Sequence, residues 1–329
     1  MTKAESSASN NSVHVAFCVD DRYLKPMAAT IVSLVEQNPE IAFVFHALVF
    51  DISEENRSRI ERFPEYGVPN FKVHLIDPKR FNHLASYLGS SHYSISIFSR
   101  LVIPEVLSAY AEKVLYLDAD ILCVGSIREL LSVELDSKIA AVIPDAPITV
   151  ARRVKALSLP KPEYFNAGVM LINVREWLAR DVSQQTLQCL LRRDLDMRFN
   201  DQDALNLVLN GKVHYLSPRF NYLYDLIHDL NINRFHLKNW GRAALIHFAG
   251  AVKPWAQWTG HEVSGIFLDY LLKSPWHDIP LDQIPQNTKE MRMYSRFLLR
   301  QRRPFASLYW YLKYLKVKAR KMLVQHFPS

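Results

Sequence analysis

Between Val13 and Ile76 the hydrophobic pattern switches back and forth between the period of a strand and that of a helix. Val13 to Val19 is a short apolar run bounded by Asp20-Asp21. Leu24, Met27, Ala28, Ile31, Val32 and Val35 then recur at helical spacing until Asn38-Pro39 stops them. Ile41 to Phe50 reads as a strand, Ser53 to Phe63 as a helix, and Phe71 to Ile76 as a strand again. A β-α-β-α-β order restricts the chain to an α/β sheet with parallel strands and right-handed crossovers. Ile97 to Tyr110 predicts a helix leading into a strand that starts at Lys113. Ala140–Ile143 and Gly168–Asn173 predict further strands, and Trp177–Arg193 and Gln202–Leu209 further helices. Met1 to Ser12, rich in Ser, Asn and Ala without an apolar core, predicts a loose tail rather than a signal peptide.

The strand from Lys113 ends in Asp118-Ala119-Asp120. Side chains two apart on an extended segment point the same way, so the two carboxylates can grip one cation. Carboxylate oxygens suit Mg²⁺ or Mn²⁺, and such an ion keeps positions open for substrate phosphates. The alternative is a pair of acids that caps a turn. Two common phosphate loops are absent: no G-x-G-x-x-G follows the first strand, and no G-x-x-x-x-G-K-[ST] occurs in a chain with only 9 glycines. That argues against dinucleotide oxidoreductases and P-loop enzymes. A diphosphate would be held by metal and cationic side chains instead.

At 329 residues the chain can bury a core in one or two domains, and 49% hydrophobic with 22% charged residues is ordinary for a globular protein. No run of about 18 apolar residues occurs, so no transmembrane helix is expected. Cys18, Cys123 and Cys189 are scattered among apolar neighbours, which fits free thiols in a reducing compartment better than disulfides or a zinc site. The net charge of +7 is unevenly spread. Eleven of the 40 Lys and Arg lie in Lys289–Ser329 beside a single acid, Glu290, which leaves 29 basic and 32 acidic residues before them.

Five more segments carry polar residues where strands end or loops begin: Val19-Asp20-Asp21-Arg22-Tyr23, Ser99-Arg100-Leu101, Tyr164 to Asn173, Asn200 to Asn206, and Ile246 to Trp255. Asp20 can also be read as a helix N-cap. Arg100 lies in an apolar helical pattern and needs a partner, because an unpaired buried charge is costly. In the last segment a lone His247 is either structural or a third metal ligand; Lys253, six residues later across a glycine, favours the ligand reading as a phosphate-binding cation nearby.

In order and spacing, these segments with Asp118-Ala-Asp120 resemble glycosyltransferase family 8, retaining enzymes with a GT-A fold. The resemblance runs from about Val13 to Ile279, and within the family it is strongest to bacterial lipopolysaccharide outer-core glucosyl- and galactosyltransferases. It implies a GT-A-type mixed, mainly parallel sheet flanked by helices in a catalytic domain over 13–280, after a tail at 1–12. It also implies a Mn²⁺ (or Mg²⁺) ion on Asp118, Asp120 and His247 that bridges the diphosphate of UDP-glucose or UDP-galactose. Asp20 and the Cys18 backbone would hold the uracil and ribose, and Gly250 and Lys253 the phosphates. Arg100, Asp118, Asn166, Asp201 and Gln202 would surround the hexose, with Asp145 near the sugar or the acceptor. Arg22 stands where relatives often carry Asn, and could instead pair with the ribose or a phosphate.

The chemistry implied is transfer of the hexose to a sugar of the lipopolysaccharide core. Double displacement would need a carboxylate beneath the ring, for which Asp201 is the candidate. With Gln202, a poor nucleophile, closest to that face, a front-face route is favoured. The other readings are transfer to a different acceptor, glycogenin-like or capsular; a metal-dependent nucleotide-sugar hydrolase or nucleotidyltransferase; and a non-catalytic carbohydrate-binding protein. Residues 281–329 predict a basic, helical C-terminal region. There Phe305, Leu308, Leu312, Leu315, Ala319 and Met322 recur every three or four residues beside Lys313, Lys316, Lys318, Arg320 and Lys321. A basic, aromatic amphipathic helix suits an anionic membrane surface. The expected location is therefore cytoplasmic, peripheral to the inner membrane, with no nucleic-acid partner. The competing reading packs the apolar stripe onto the catalytic domain.

Overall fold

The computed structural model describes residues 12–84, 95–192, 194–238 and 240–326. The expected tail lies outside them except for Ser12. Strands β1 (Val13–Cys18), β2 (Phe43–Val49), β3 (Phe71–Leu75), β4 (Lys113–Leu117), β6 (Ala140–Pro144), β7 (Phe165–Asn173) and β8 (Val213–Tyr215) form one sheet in the order β3-β2-β1-β4-β7-β6-β8. All neighbours are parallel except β7, which runs against both β4 and β6. A small second sheet joins β5 (Ile121–Cys123), β10 (Leu245–His247) and β9 (Tyr222–Leu223). The expected α/β class with a mixed, mainly parallel sheet is what forms.

Both faces of the large sheet are buried, as a parallel sheet requires. On β1, Val15 and Phe17 enter one core cluster with Leu24, Met27 and Ile31 of helix α1 (Leu24–Gln37), while Ala16 enters the other. That second cluster takes in Ile103 and Leu107 of helix α3 (Ile103–Leu107), which follows α2 (Glu54–Glu61), and residues of a helix over 200–209. Phe17 is fully buried, so truncating it to alanine would cost about 3–5 kcal/mol.

The connections position the site. From β1 the chain moves to β2 and β3 on one side, and β4 then joins β1 on the other. Where strand order reverses in this way, a crevice opens outside the carboxyl ends of the two strands. Cys18 and Asp118 lie at those ends. Antiparallel β7 brings its first residues, Phe165 to Gly168, to the same edge, where Asp118 N–H bonds Gly168 O at 2.8 Å.

Several expectations shift. The helix expected over Ile97–Tyr110 is a 3₁₀ segment, Ile95–Val102, followed by α3. Pro104 explains the break: it has no N–H to bond back into the preceding turn but suits a helix start. The helix expected over Trp177–Arg193 is divided at Asp181, which adopts a left-handed φ of 48°. Its halves are α6 (Val174–Ala179) and α7 (Val182–Leu190), preceded by α4 (Arg128–Leu131) and α5 (Pro147–Ala156) and followed by α8 (Asn200–Leu209). Helices α9 (Leu226–Asn231) and α10 (Val263–Leu271) then lead to a C-terminal pair, α11 (Thr288–Arg300) and α12 (Pro304–His326).

α12 packs on α11 through a face other than the expected stripe. Ser295 and Ser307 exchange side-chain-to-backbone hydrogen bonds of 2.9 and 2.7 Å, and Trp310 meets Tyr294 edge-on with ring centroids 5.3 Å apart. The stripe itself faces outward, with Phe305, Leu308, Leu312 and Leu315 exposed by 89%, 55%, 55% and 41%.

Candidate active site

The Asp pair does not continue the strand. β4 stops at Leu117, and Asp118 to Asp120 form the turn into β5. Thr30 of α1 pins that turn, donating to Ile121 O at 2.7 Å and lying 3.1 Å from Ala119 O, while Phe248 N–H bonds Asp120 O at 3.0 Å. The convergence of the carboxylates therefore comes from a held turn rather than from strand alternation.

His247 ends β10 and faces both acids. Its Nε2 is 3.2 Å from Asp120 Oδ1 and 3.7 Å from Asp118 Oδ2. One donor atom from each of Asp118, Asp120 and His247 lies within 4.8 Å of the other two. Gly168 makes room for this: a Cβ there would strike the His247 ring and come 2.8 Å from Asp118 Oδ2. Two carboxylates and an imidazole, largely buried, are a donor set that fits Mn²⁺ or Mg²⁺.

The surrounding residues aim these ligands. Asn221 Nδ2 donates to Asn166 Oδ1 at 2.9 Å, so Asn221 Oδ1 accepts the Nδ1–H of His247 at 2.9 Å. That fixes the imidazole tautomer and turns Nε2 toward the acids, the usual way a neighbour orients a metal-binding histidine. Asp118 Oδ1 accepts from Arg100 Nη2 at 3.3 Å and from the Tyr116 hydroxyl, which leaves Oδ2 on the His247 side. Lys253 donates to Asp120 Oδ2 and, at 2.8 Å, to Phe248 O. Burial alone would raise the Asp120 carboxyl, but the Lys253 ammonium beside it overcomes this and holds the group well below the usual carboxylate range.

Arg100 finds the partners its sequence context demands. Its Nε lies 3.1 Å from Asp201 Oδ2, its Nη1 donates to Ala167 O at 3.1 Å, and its guanidinium sits 4.8 Å from the Tyr116 ring centroid. Burial raises the Asp201 carboxyl to about 6 in spite of Arg100, and Asp118 adds to the rise. Beside it, Asp145 Oδ2 accepts from Gln202 Nε2 at 3.0 Å and Asn166 Nδ2 at 3.3 Å. The residues expected around one sugar are thus brought together.

At the end of β1 the N-cap reading of Asp20 holds: Oδ1 accepts from the backbone N–H of Arg22 and Tyr23. Arg22 points outward, its side chain 87% exposed and 3.5 Å from Asp20 Oδ2. Cys18 is close enough to feel Arg100 and Asp118, and burial pushes its thiol up to about 12. The ring of Tyr23 meets Trp255 edge-on at 5.8 Å, which ties this end to the Lys253 segment. At Gly250 an added Cβ would meet Asp225 Oδ1 at an ordinary 3.5 Å, so packing does not require glycine there. Tyr116 and Asn221 are site residues that the sequence did not single out. Tyr116 lay in plain view two residues before Asp118, but nothing in the chain places Asn221 next to His247.

A mainly parallel α/β sheet with a carboxylate–carboxylate–imidazole cluster at the switch between β1 and β4 is the arrangement of GT-A-type sugar transferases. The chain belongs to glycosyl transferase family 8: the family model matches residues 14–259, and the family 8 C-terminal model matches 263–318. The lipopolysaccharide 1,3-galactosyltransferase of Salmonella typhimurium is 29% identical over 93% of this chain and 91% of its own length. A lipopolysaccharide 1,2-glucosyltransferase of Escherichia coli is 27% identical over the same shares. The galactosyltransferase LgtC, solved in complex with donor and acceptor sugar analogues, superposes with a TM-score of 0.66 at 26% identity, covering 80% of this chain and 96% of that one.

Proposed function

We propose that this family 8 enzyme transfers glucose or galactose, with retention, from a UDP-sugar to a hexose of a lipopolysaccharide core. The observation that carries the reading is the largely buried Asp118–Asp120–His247 cluster with Lys253 beside it. The two lipopolysaccharide hexosyltransferases, similar along nearly their whole length, support the acceptor class.

Asp118, Asp120 and His247 would hold a Mn²⁺ or Mg²⁺ ion. A divalent ion there supplies charge neutralisation for the departing diphosphate. Lys253 adds a second positive charge on that side, and Arg100 with Asp201 and Asp118 lines the sugar side. In the front-face route, the bond from C1 to the UDP oxygen breaks. The acceptor oxygen then bonds to C1 on the same face, and the acceptor proton passes to the diphosphate. Asp201 suits the role of fixed charge near C1 better than that of nucleophile, because Arg100 engages its carboxylate. Asp20 and the Cys18 backbone would hold the nucleoside, Gly250 the phosphates, and Asn166, Gln202 and Asp145 the sugar and the approach of the acceptor.

We further propose that α12 rests on the anionic face of a membrane in the cytoplasm. No helix among the described residues is long and apolar enough to cross one. The exposed stripe of Phe305, Leu308, Leu312 and Leu315 beside Lys316 and Lys318 suits insertion at the headgroup level.

UDP release measured with Mn²⁺, a panel of sugar nucleotides, and lipopolysaccharide core as acceptor tests the function. The expected result is release from UDP-glucose or UDP-galactose that rises when the acceptor is added. Release with no dependence on acceptor would indicate a hydrolase, and no release from any sugar nucleotide would indicate a binding protein.

A further inference from the structure

Next to the site lies a closed network that the donor and metal residues do not explain. Arg153 of α5 and Asp203 of α8 are almost completely buried and meet through two hydrogen bonds, Nε to Oδ1 at 3.0 Å and Nη2 to Oδ2 at 2.9 Å. Asp203 also accepts the Tyr164 hydroxyl at 2.6 Å and the Phe199 N–H at 2.7 Å. Both of its oxygens are therefore engaged, and neither is left for a sugar.

The direction of these bonds propagates. A carboxylate paired with a guanidinium has no proton to give, so Tyr164 must donate to it. Burial and the Asp203 charge raise the Tyr164 phenol, which keeps it protonated. Its oxygen can then only accept, and Gln202 Nε2 donates to it at 3.0 Å. Asp145 Oδ2 takes the other proton of the amide at 3.0 Å. With its NH₂ end committed, Gln202 turns Oε1 to the Ala167 N–H at 3.0 Å. That N–H is available because the β6–β7 ladder slips between Val142 and Ile143, pairing Met170 and then Asn166 and skipping Ala167 to Val169. Ala167 O in turn receives Arg100.

We propose that Arg153, Asp203 and Tyr164 are positioning residues that, together with Asp145 and the Ala167 N–H, hold the end of the Gln202 amide that faces the donor sugar. An oxocarbenium-like centre is stabilised by a carbonyl oxygen and opposed by an amide NH₂. The amide has nearly the same shape in both orientations, so shape alone does not choose between them; the one-way chain of donors does. This rests on the reading above that Gln202 faces the sugar.

The test is a double-mutant cycle of Tyr164→Phe and Gln202→Ala, read as UDP release from UDP-glucose or UDP-galactose with Mn²⁺. Tyr164→Phe keeps the ring and removes only the relay. Its kcat is expected to fall roughly 10–100-fold with the KM for donor unchanged and the melting temperature nearly so. In the Gln202→Ala background the same substitution should have no further effect, because the two act as one unit. Additive losses, or an unchanged kcat in Tyr164→Phe while Gln202→Ala is slow, would overturn the positioning role alone. An unchanged kcat in Gln202→Ala would overturn the placement of Gln202 at the sugar, and the positioning role with it. If Tyr164→Phe does not fold, Arg153→Lys carries the same cycle, since lysine keeps the charge and loses the bidentate geometry.

Discussion

Two buried groups of charge lie on neighbouring parts of the molecule and are built in opposite ways. In the Arg153–Asp203 pair a guanidinium meets a carboxylate whose two oxygens are both engaged, and the remaining guanidinium nitrogen reaches the exposed Asp196 at 3.4 Å. In the Asp118–Asp120–His247 cluster two carboxylates and an imidazole crowd one space, with Lys253 and Arg100 approaching from opposite sides. Asp118 Oδ2 and His247 Nε2 face each other at 3.7 Å, too far for a hydrogen bond and close enough for a shared ion. A closed pair fixes geometry, whereas an open cluster of like charges is held together by the fold for the sake of something else that binds. Burial by itself does not distinguish them; the direction in which the oxygens point does.

The sharpest way to break the comparison is Asp120→Asn. Transfer with Mn²⁺ is expected to fall 100-fold or more, since losing even support around a metal ligand costs 10–100-fold. The rise in melting temperature that Mn²⁺ gives the wild type should vanish in the variant. Full activity of Asp120→Asn in EDTA would remove the metal assignment. Asp203→Asn should do the reverse for stability. It leaves Arg153 buried without a full counter-charge, which costs about 3–5 kcal/mol, while the Mn²⁺-induced shift in melting temperature survives in the folded protein. If instead the closed pair tolerates the change and the Mn²⁺ shift is lost, the two groups have been assigned the wrong way round.

How far the sequence reached follows the same division. The elements over Val13–Ile76 were readable because each has a local period, and Pro104 and Asp181 show where local punctuation cut a period short. Asp118, Asp120 and His247 were found by residue type and by family likeness, although the turn that makes the acids converge was not. Arg153 and Asp203 stand 50 positions apart on different helices; the Asn200–Asn206 segment marked Asp203, but nothing local marks Arg153 as its partner. Strands β9 and β10 have two and three residues, too few to show alternation. On α12 the stripe was real, but Ser307 and Trp310 allow close packing on α11, and tertiary fit chose that face.

A third group, three histidines of which His46 is buried and the outer two half-buried, extends the contrast to neutral rings. His14, His46 and His74 on β1, β2 and β3 are linked Nδ1 to Nε2 at 2.9 Å, with Tyr110 against His46 and His74 and Lys72 over Tyr110. Burial, then His74, His14 and Lys72, hold His46 down at about 3. Below the unfolded value near 6.5 the unfolded chain takes up a proton that the folded one refuses. Stability from this residue is thus fully present above about pH 6.5 and is lost as pH falls toward 3. Melting temperature should decline across that window, and less steeply in His46→Asn; parallel profiles would contradict the assignment. The smallest effect on chemistry is expected from deleting Phe305–Ser329. Sedimentation with anionic vesicles should drop, and with the wild type it should weaken as salt shortens the screening length below about 8 Å, while hydrolysis of the free donor persists. Loss of donor hydrolysis on truncation would mean that α12 belongs to the catalytic core.

The open cluster is tested most directly by calorimetric titration of UDP into the wild type and Asp120→Asn, each with Mn²⁺ and with EDTA. The expected result is binding by the wild type with Mn²⁺ that weakens at least ten-fold in EDTA and at least ten-fold in the variant. Equal affinity in all four titrations would show that UDP binds without the Asp118–Asp120–His247 cluster and would contradict its role as the metal–diphosphate site.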